Sequence, residues 1–180
     1  MRKIVHEKIE FSDPALSSLV NKVLQGNRET VICGLNGSAP PLVTSILFEH
    51  IERTLLYVSP SEEEAKNAAR DLSFFLGEEE VCLFPPCDIL SLDDTLSHQR
   101  DISAKRVSIL YQLLLGKPAI VVVPLSALTQ KVMPMNTIMD YTEDISAGDC
   151  LERDRFIEKL IEGGYERVSL VEGGGEFSER

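Results

Sequence analysis

Short apolar runs along the first two thirds of the chain alternate with stretches in which apolar residues recur at helical spacing. Runs that are rich in β-branched residues and apolar at every position are typical of parallel strands buried on both faces. Helices between such strands predict right-handed crossovers, so the pattern indicates an α/β fold with a parallel sheet flanked by helices. The predicted strands cover residues 30–34, 54–59, 81–84 and 119–124.

The predicted helices have clear start signals. Asp13 followed by Pro14 is typical of an N-cap with proline in the first turn, and Ser61 with Glu64 three residues later fits a capping box. Helices are predicted from residue 14 to about 26 and over residues 42–53, 61–76, 99–115 and 126–132.

The pattern changes after residue 133, which predicts two domains, 1–133 and 134–180. The second is predicted to be a small α+β module in which a turn at Gly173 to Gly175 closes a hairpin. A chain that stops on a strand leaves a strand edge exposed, so we expect this module to be incomplete. Its predicted strand, helix and second strand cover residues 137–143, 151–162 and 165–172.

The segment GLNGSAPPLV at 34–43 lies between a predicted strand and a predicted helix, where a phosphate-binding loop would lie. In such a loop a second glycine, a lysine and a hydroxyl residue open the helix. Ala39, Pro40 and Pro41 occupy those positions, and each proline removes an N–H donor. We predict that the loop turns the chain but does not bind nucleotide. The residues that correspond to those of a phosphate-binding loop are Gly34, Gly37, Ser38, Ala39, Pro40 and Pro41.

An acidic segment in the middle of the chain contains candidate metal ligands. They are Asp88, Asp93, Asp94, His98 and Asp101. Apolar residues separate the first carboxylate from the next two, and no second histidine is near, so we predict a loop over the sheet and no metal site. No cysteine or serine has an obvious histidine and acid beside it, so we predict no catalytic residue.

Composition narrows the possible partners. The formal net charge of -11 disfavours binding to a phosphate backbone, and residues 134–180 contain five Lys or Arg against twelve Asp or Glu.

No apolar run is long enough to cross a membrane and the N-terminus lacks a secretion signal, so we expect a cytoplasmic protein. Four cysteines form no C-x-x-C pair, and Cys33 and Cys82 are expected to be buried.

The predicted closing hairpin concentrates two residue types that favour protein contacts. Arginine and aromatic side chains are enriched at interface hot spots because they combine large buried area with directional bonds. Composition alone still favours a solvated hairpin over an interface. The candidate residues are Tyr165, Arg167, Phe177 and Arg180.

Four motifs resemble the N-terminal region of the bacterial transcription-repair coupling factor, Mfd. They follow the same order along residues 30 to 180. The motifs are SHQRD at 97–101, VVVPLSAL at 121–128, GYERV at 164–168 and GEFSER at 175–180.

That region is itself similar to the excision-repair protein UvrB, in which an inserted module of a RecA-like domain binds UvrA. The resemblance implies a RecA-like subdomain at 1–133 with a decayed phosphate-binding loop, and the start of a UvrA-binding module at 134–180. It also implies that Tyr165-Glu166-Arg167 and part of 177–180 match the elements that contact UvrA. In the second element Ser178 stands where UvrB-type sequences tend to have an arginine.

The resemblance implies UvrA as the partner of this chain. In the full-length protein it adds RNA polymerase and double-stranded DNA, and a distal C-terminal domain that masks the UvrA surface. Because ATP and magnesium belong to a distal motor in the family, we expect no cofactor and no catalysis here. Two alternatives remain open: an atypical ATP-hydrolysing α/β domain, and a domain that binds DNA directly.

Overall fold

The computed structural model describes residues 13–26, 28–87 and 96–179, and for residues 96–98 the backbone only. Its helices are α1 (Pro14–Leu24), α2 (Ala39–Ile51), α3 (Glu62–Leu76), α4 (Leu96–Leu114), α5 (Leu125–Leu128), α6 (Met135–Tyr141) and α7 (Arg153–Glu162). Its strands are β1 (Leu55–Ser59), β2 (Val81–Leu83), β3 (Ile120–Pro124), β4 (Glu166–Arg167) and β5 (Glu176–Phe177), and a short 3₁₀ helix covers Glu78–Glu80.

The chain divides into two compact units. The first contains the described residues up to Leu83 together with Pro118–Leu125, and the second contains Phe84–Lys117 and the residues from Ser126 onward. This division does not coincide with the predicted boundary at 133/134, because α4 belongs to the second unit.

A parallel sheet of three strands in the order β1-β3-β2 organises the first unit, so the prediction of an α/β fold with a parallel sheet is confirmed. The register aligns Leu55 with Ile120 and Tyr57 with Val122, and β2 pairs with β3 in the same direction. Since alternate residues of a strand share a face, these side chains form one apolar surface. All five residues of β3 are buried, as expected for the central strand.

Helix α3 covers that apolar surface. Ala65, Ala68, Ala69 and Leu72 recur at the spacing of one helix face, and all four are buried against Ile120 of β3 and its neighbours. Small alanine side chains allow close approach of the helix to the sheet, while Leu72 fills the remaining space. The core of the first unit therefore lies between α3 and the sheet, and it includes Phe48 of α2.

The start signals that the sequence predicted are present in the structure. Asp13 accepts a hydrogen bond from the Ala15 N–H at 2.8 Å, and the Ser61 hydroxyl accepts one from the Glu64 N–H at 3.2 Å. Each bond satisfies a donor that the first helical turn leaves without an intrahelical partner.

Substitution of Ser61 by alanine should lower the free energy of unfolding of the first unit by about 1 kcal/mol, because the Glu64 N–H loses its acceptor. Ser73→Ala, near the other end of α3, is the control and should change stability by less than about 0.5 kcal/mol. Urea titration followed by circular dichroism measures both. Equal effects of the two substitutions would contradict the capping role.

Two strand predictions for the first unit are wrong in part. Residues 30–34 form no strand: Val31 is 77% exposed, and Ile32 and Cys33 are also exposed. In β1, Leu56 is 57% exposed, so this strand is not buried on both faces. Leu55 and Tyr57 pack against the core under α3, whereas Leu56 and Val58 lie on the opposite face of this edge strand and are exposed. Apolar composition alone does not distinguish an edge strand from a central one.

The second unit has its own buried residues, on α4, α5, α6, β5 and the segment that follows β2. A strand was predicted at 137–143, but the structure has helix α6 there. Ile138 is buried, and its N–H donates to the Pro134 carbonyl at 3.1 Å, which opens the helix. Packing of α6 against α4 decides in favour of a helix over a strand in this short ambiguous segment. Where the structure describes this unit, its buried apolar residues are Phe84, Ile109, Ala127, Ile138 and Phe177.

Arg106 of α4 is the one buried charged residue among the described residues of this unit. Its guanidinium donates to the Pro85 carbonyl at 2.7 Å, to Gln130 Oε1 at 3.1 Å and to the Lys131 carbonyl at 3.3 Å. It also lies 4.4 Å from the centroid of the Phe84 ring, within cation–π distance. The helix predicted at 126–132 ends at Leu128 instead, which frees the following residues to bind Arg106.

Candidate protein-binding site

The motif GYERV begins at the C-terminus of α7. Gly164 has φ +85°, and its N–H donates to the Ile161 carbonyl at 3.0 Å while the Tyr165 N–H donates to the Leu160 carbonyl at 2.9 Å. This pair of bonds is a Schellman motif, which requires a residue with positive φ and so favours glycine. The predicted helix stop at Gly163-Gly164 is confirmed. The motif directs Tyr165 and the next residues away from the helix axis.

The two strands that follow are parallel. Glu166 pairs with Glu176 and Arg167 with Phe177, and the Glu166 and Val168 N–H groups donate to the Gly175 and Phe177 carbonyls at 2.8 and 2.9 Å. The predicted hairpin is therefore wrong, since a hairpin requires antiparallel strands. The chain between the strands returns to the start of β4 before β5 begins. The three glycines at 173–175 fit an antiparallel hairpin and a parallel return equally well, so the sequence did not reveal the direction of the second strand.

Arg167 is the exposed cation of this strand pair. Its side chain is 60% exposed and forms an ion pair with Glu179, whose other carboxylate oxygen accepts a hydrogen bond from Arg153 of α7 at 2.6 Å. The Glu179 side chain is only 17% exposed. Two arginines therefore share one partly buried carboxylate, which orients the Arg167 guanidinium. Sequence reasoning selected Arg167 but missed Arg153 and Glu179, because the ion pairs join residues distant along the chain.

The other predicted site residues are placed differently. Tyr165 is exposed, whereas Phe177 is only 9% exposed and packs inside the second unit. Phe177 therefore anchors β5 and does not present its ring to a partner in this structure. Ser178 donates from its hydroxyl to the Ser169 carbonyl at 3.2 Å, which ties the returning loop to β5. Arg180 lies outside the described residues.

Positions 39–42, at the start of α2, offer no free N–H donor. The Ala39 N–H is bonded to the Asn36 carbonyl at 3.1 Å and the Leu42 N–H to the Ser38 carbonyl at 3.0 Å, while Pro40 and Pro41 have no N–H. Phosphate binding at a helix N-terminus depends on free donors. Gly34 and Gly37 have positive φ, so the loop still turns sharply into the helix.

Calorimetric titration with magnesium and ATP should therefore give no saturable binding in the micromolar range. Lysine and free N–H groups supply the positive charge that holds the phosphates of a nucleotide, and positions 39–42 offer neither. The double variant Pro40→Lys/Pro41→Ser supplies a lysine and a hydroxyl at these positions. It tests whether the shape of the loop supports nucleotide binding once those groups are present. Micromolar binding by the native chain would instead favour an atypical nucleotide-binding domain.

The acidic segment with the candidate metal ligands lies mostly outside the described residues. Asp88, Asp93 and Asp94 and the side chain of His98 lie outside the described residues, and Asp101 is exposed on α4. Within the described ranges, no group of three or more His, Cys, Asp or Glu could hold a metal ion. In the same ranges, no helix combines the length and apolar character that crossing a membrane requires.

Helix α4 is also tied to the segment after α6. The Tyr111 hydroxyl donates to both carboxylate oxygens of Asp144 at 3.0 Å, and this hydrogen bond is the largest cause of a raised pKa of Tyr111. Lys159 of α7 donates to the Thr142 carbonyl at 3.3 Å. The segment between α6 and α7 is therefore fixed to both α4 and α7 by polar contacts.

Comparisons with known proteins bear on the resemblance. No family model matches the chain. The transcription-repair-coupling factor of Bacillus subtilis (strain 168) is 28% identical over 163 residues, which is 91% of this chain and 14% of that relative. The factors of Staphylococcus aureus strains USA300 and MRSA252 are each 27% identical over 177 residues, which is 98% of this chain and 14% of theirs.

The chain thus spans about one seventh of the length of these relatives. The GYERV motif provides the Schellman stop and β4, and the GEFSER motif provides β5 with the carboxylate that binds Arg167. The chain is therefore similar to transcription-repair coupling factors over nearly all of its length, which confirms the resemblance of its motifs and is consistent with an N-terminal fragment of such a factor.

Proposed function

We propose that this chain acts in transcription-coupled repair as a module that recruits the excision-repair protein UvrA. Similarity to transcription-repair coupling factors over 91–98% of the chain supports the role in repair. The observation that supports the binding site is the exposed Arg167, oriented by Glu179 next to Tyr165 on a strand pair of the second unit. Arg180 completes the proposed site.

The chemistry of the site suits a carboxylate-bearing protein surface. A guanidinium can bind a carboxylate through two parallel hydrogen bonds. Arg167 uses one of its terminal nitrogens in its ion pair with Glu179. A partner carboxylate could replace or extend that contact. The surrounding residues are acidic, which disfavours a phosphate backbone as the ligand and favours a protein.

We further propose that the full-length protein engages RNA polymerase and double-stranded DNA through other regions, and that a distal C-terminal domain masks the UvrA surface until it is needed. The first unit would be a RecA-like domain that has lost its nucleotide site, and the 134–180 segment would be the start of a UvrB-like module. On this proposal the chain is cytoplasmic, has no catalytic residue and requires no cofactor.

Titration of the chain into UvrA tests the proposal directly. We expect saturable binding at physiological salt, without nucleotide and without DNA. Titration into duplex DNA is the parallel measurement, and we expect no binding there beyond a weak, steeply salt-dependent interaction. Binding to DNA with no binding to UvrA would overturn the proposal and favour a DNA-binding domain.

A further inference from the structure

The SHQRD motif places Arg100 near the start of α4, where it contacts both strands of the candidate site. Its guanidinium lies 3.1 Å from Glu166 of β4 and 3.6 Å from Glu176 of β5. The ion pairs of Arg100 are with these two carboxylates rather than with Tyr165 or Arg167, so its role differs from that of the proposed contact residues. It connects residues that are 66 and 76 positions apart in the chain.

Glu166 and Glu176 are register partners in the parallel pair. Side chains directly opposite each other on two strands lie close together, and like charges at such positions are destabilising. The Arg100 guanidinium bridges the two carboxylates and offsets their repulsion. An arginine fork suits this task better than an ammonium group, because it reaches two carboxylates at once.

Glu176 has a second role. Its carboxylate accepts hydrogen bonds from the Glu172 and Gly173 N–H groups at 2.8 and 3.2 Å, which closes the loop between the strands. The Glu176 side chain is only 18% exposed, so its ion pair with Arg100 is less screened than that of the exposed Glu166. The contact of Arg100 with Glu176 therefore stabilises the loop as well as the strands.

A pair of strands with two residues each cannot stay paired by its own hydrogen bonds alone. We infer that Arg100 is a positioning residue for the UvrA-binding surface: it holds β4 against β5 and so fixes the backbone that carries Arg167. This inference rests on the proposed function for its effect on binding. Its effect on the strand pair is independent of any partner.

The test is a pair of substitutions, Arg100→Gln alone and together with Glu166→Gln. The single variant should accelerate hydrogen exchange of the Glu166 and Val168 amides and weaken UvrA binding, each about fivefold, because the two carboxylates then repel. The double variant lacks the repulsion and should return both values to within about twofold of native. Lys105→Gln, an exposed cation of the same helix, is the control and should change neither.

The two readouts separate this inference from the proposed function. If the native chain does not bind UvrA, the proposed function fails, while amide exchange still tests the role of Arg100. If UvrA binding depends on Arg167 but Arg100→Gln leaves amide exchange and affinity unchanged, the positioning role is overturned and the proposed function stands. Loss of affinity that Glu166→Gln does not rescue would also overturn the electrostatic role of Arg100.

Discussion

Replacement of Arg106 by alanine should lower the free energy of unfolding of the second unit by about 3 kcal/mol. Three hydrogen bonds are lost, to Pro85, Gln130 and Lys131, and the two carbonyl groups lose a donor that water cannot easily replace at a residue only 8% exposed. The stacked contact with Phe84 is lost as well. Within the described residues no carboxylate pairs with Arg106, so the hydrogen bonds to neutral acceptors provide its stabilisation.

The same substitution should propagate to Cys87. The Gln130 side chain accepts from the Cys87 N–H at 2.7 Å and donates to the Cys87 carbonyl at 3.0 Å, and Arg106 helps to hold that side chain in place. Hydrogen exchange measured by mass spectrometry on peptides covering 84–87 and 126–131 reports the effect locally, where a global melting curve would mix the two units.

Two further substitutions in α4 separate the contribution of the Arg106 hydrogen bonds from the general effect of removing a positive charge. Lys105→Ala removes an exposed cation from the adjacent position and should change stability by less than about 0.5 kcal/mol. Arg106→Lys keeps the charge but has all its donors on one nitrogen, whereas Arg106 uses both terminal nitrogens to contact its three acceptors, so its stability should fall between the native chain and Arg106→Ala. If Arg106→Ala and Lys105→Ala had equal effects on exchange, Arg106 would not hold these segments together.

Arg167→Ala should weaken binding to UvrA about thirtyfold, which corresponds to a hot-spot contribution of about 2 kcal/mol. The Arg167 side chain is mostly exposed, and Glu179 keeps Arg153 as a partner, so the fold should lose less than about 1 kcal/mol. Isothermal titration calorimetry measures the affinity, and circular dichroism confirms that the variant is folded.

The matched control is Arg155→Ala, an exposed arginine on α7 that removes the same charge from the same unit. It should leave UvrA affinity within about twofold of native. Arg167→Lys should recover only part of the affinity, because an ammonium group cannot donate two parallel hydrogen bonds to one carboxylate. Unchanged affinity after both Arg167→Ala and Arg180→Ala would show that UvrA, if it binds, does so elsewhere.

Local signals in the sequence predicted the helices well. Helices α1 and α3 begin where Asp13 and Ser61 predict, and α7 ends where Gly164 predicts, because caps and Schellman motifs act over a few neighbouring residues. Strands β1, β2 and β3 were also predicted near their observed positions. Residues 137–143 were predicted wrongly, since a short segment of mixed character becomes a helix through its contacts with α4.

The candidate site was predictable in part. Tyr165 and Arg167 were selected by residue type and by the resemblance, and both are exposed. The same reasoning placed Phe177 at the interface, whereas the structure buries it. Residue type cannot distinguish an aromatic ring that contacts a partner from one that packs under a strand. Contacts between distant residues, such as that of Arg100 with Glu176, leave no local signal at all.

By itself the sequence determined the parallel α/β character of the first unit, the starts of helices α1 and α3, the loss of the lysine from the loop before α2, and the resemblance to coupling factors. Each depends on residues adjacent in the chain or on composition. Only the tertiary structure decided that β1 lies at a sheet edge, that β4 and β5 are parallel, and that Glu179 and Arg100 flank the candidate site. These features depend on tertiary contacts between segments that are distant in the sequence. The free energy of packing, rather than local propensity, determines which of those contacts form.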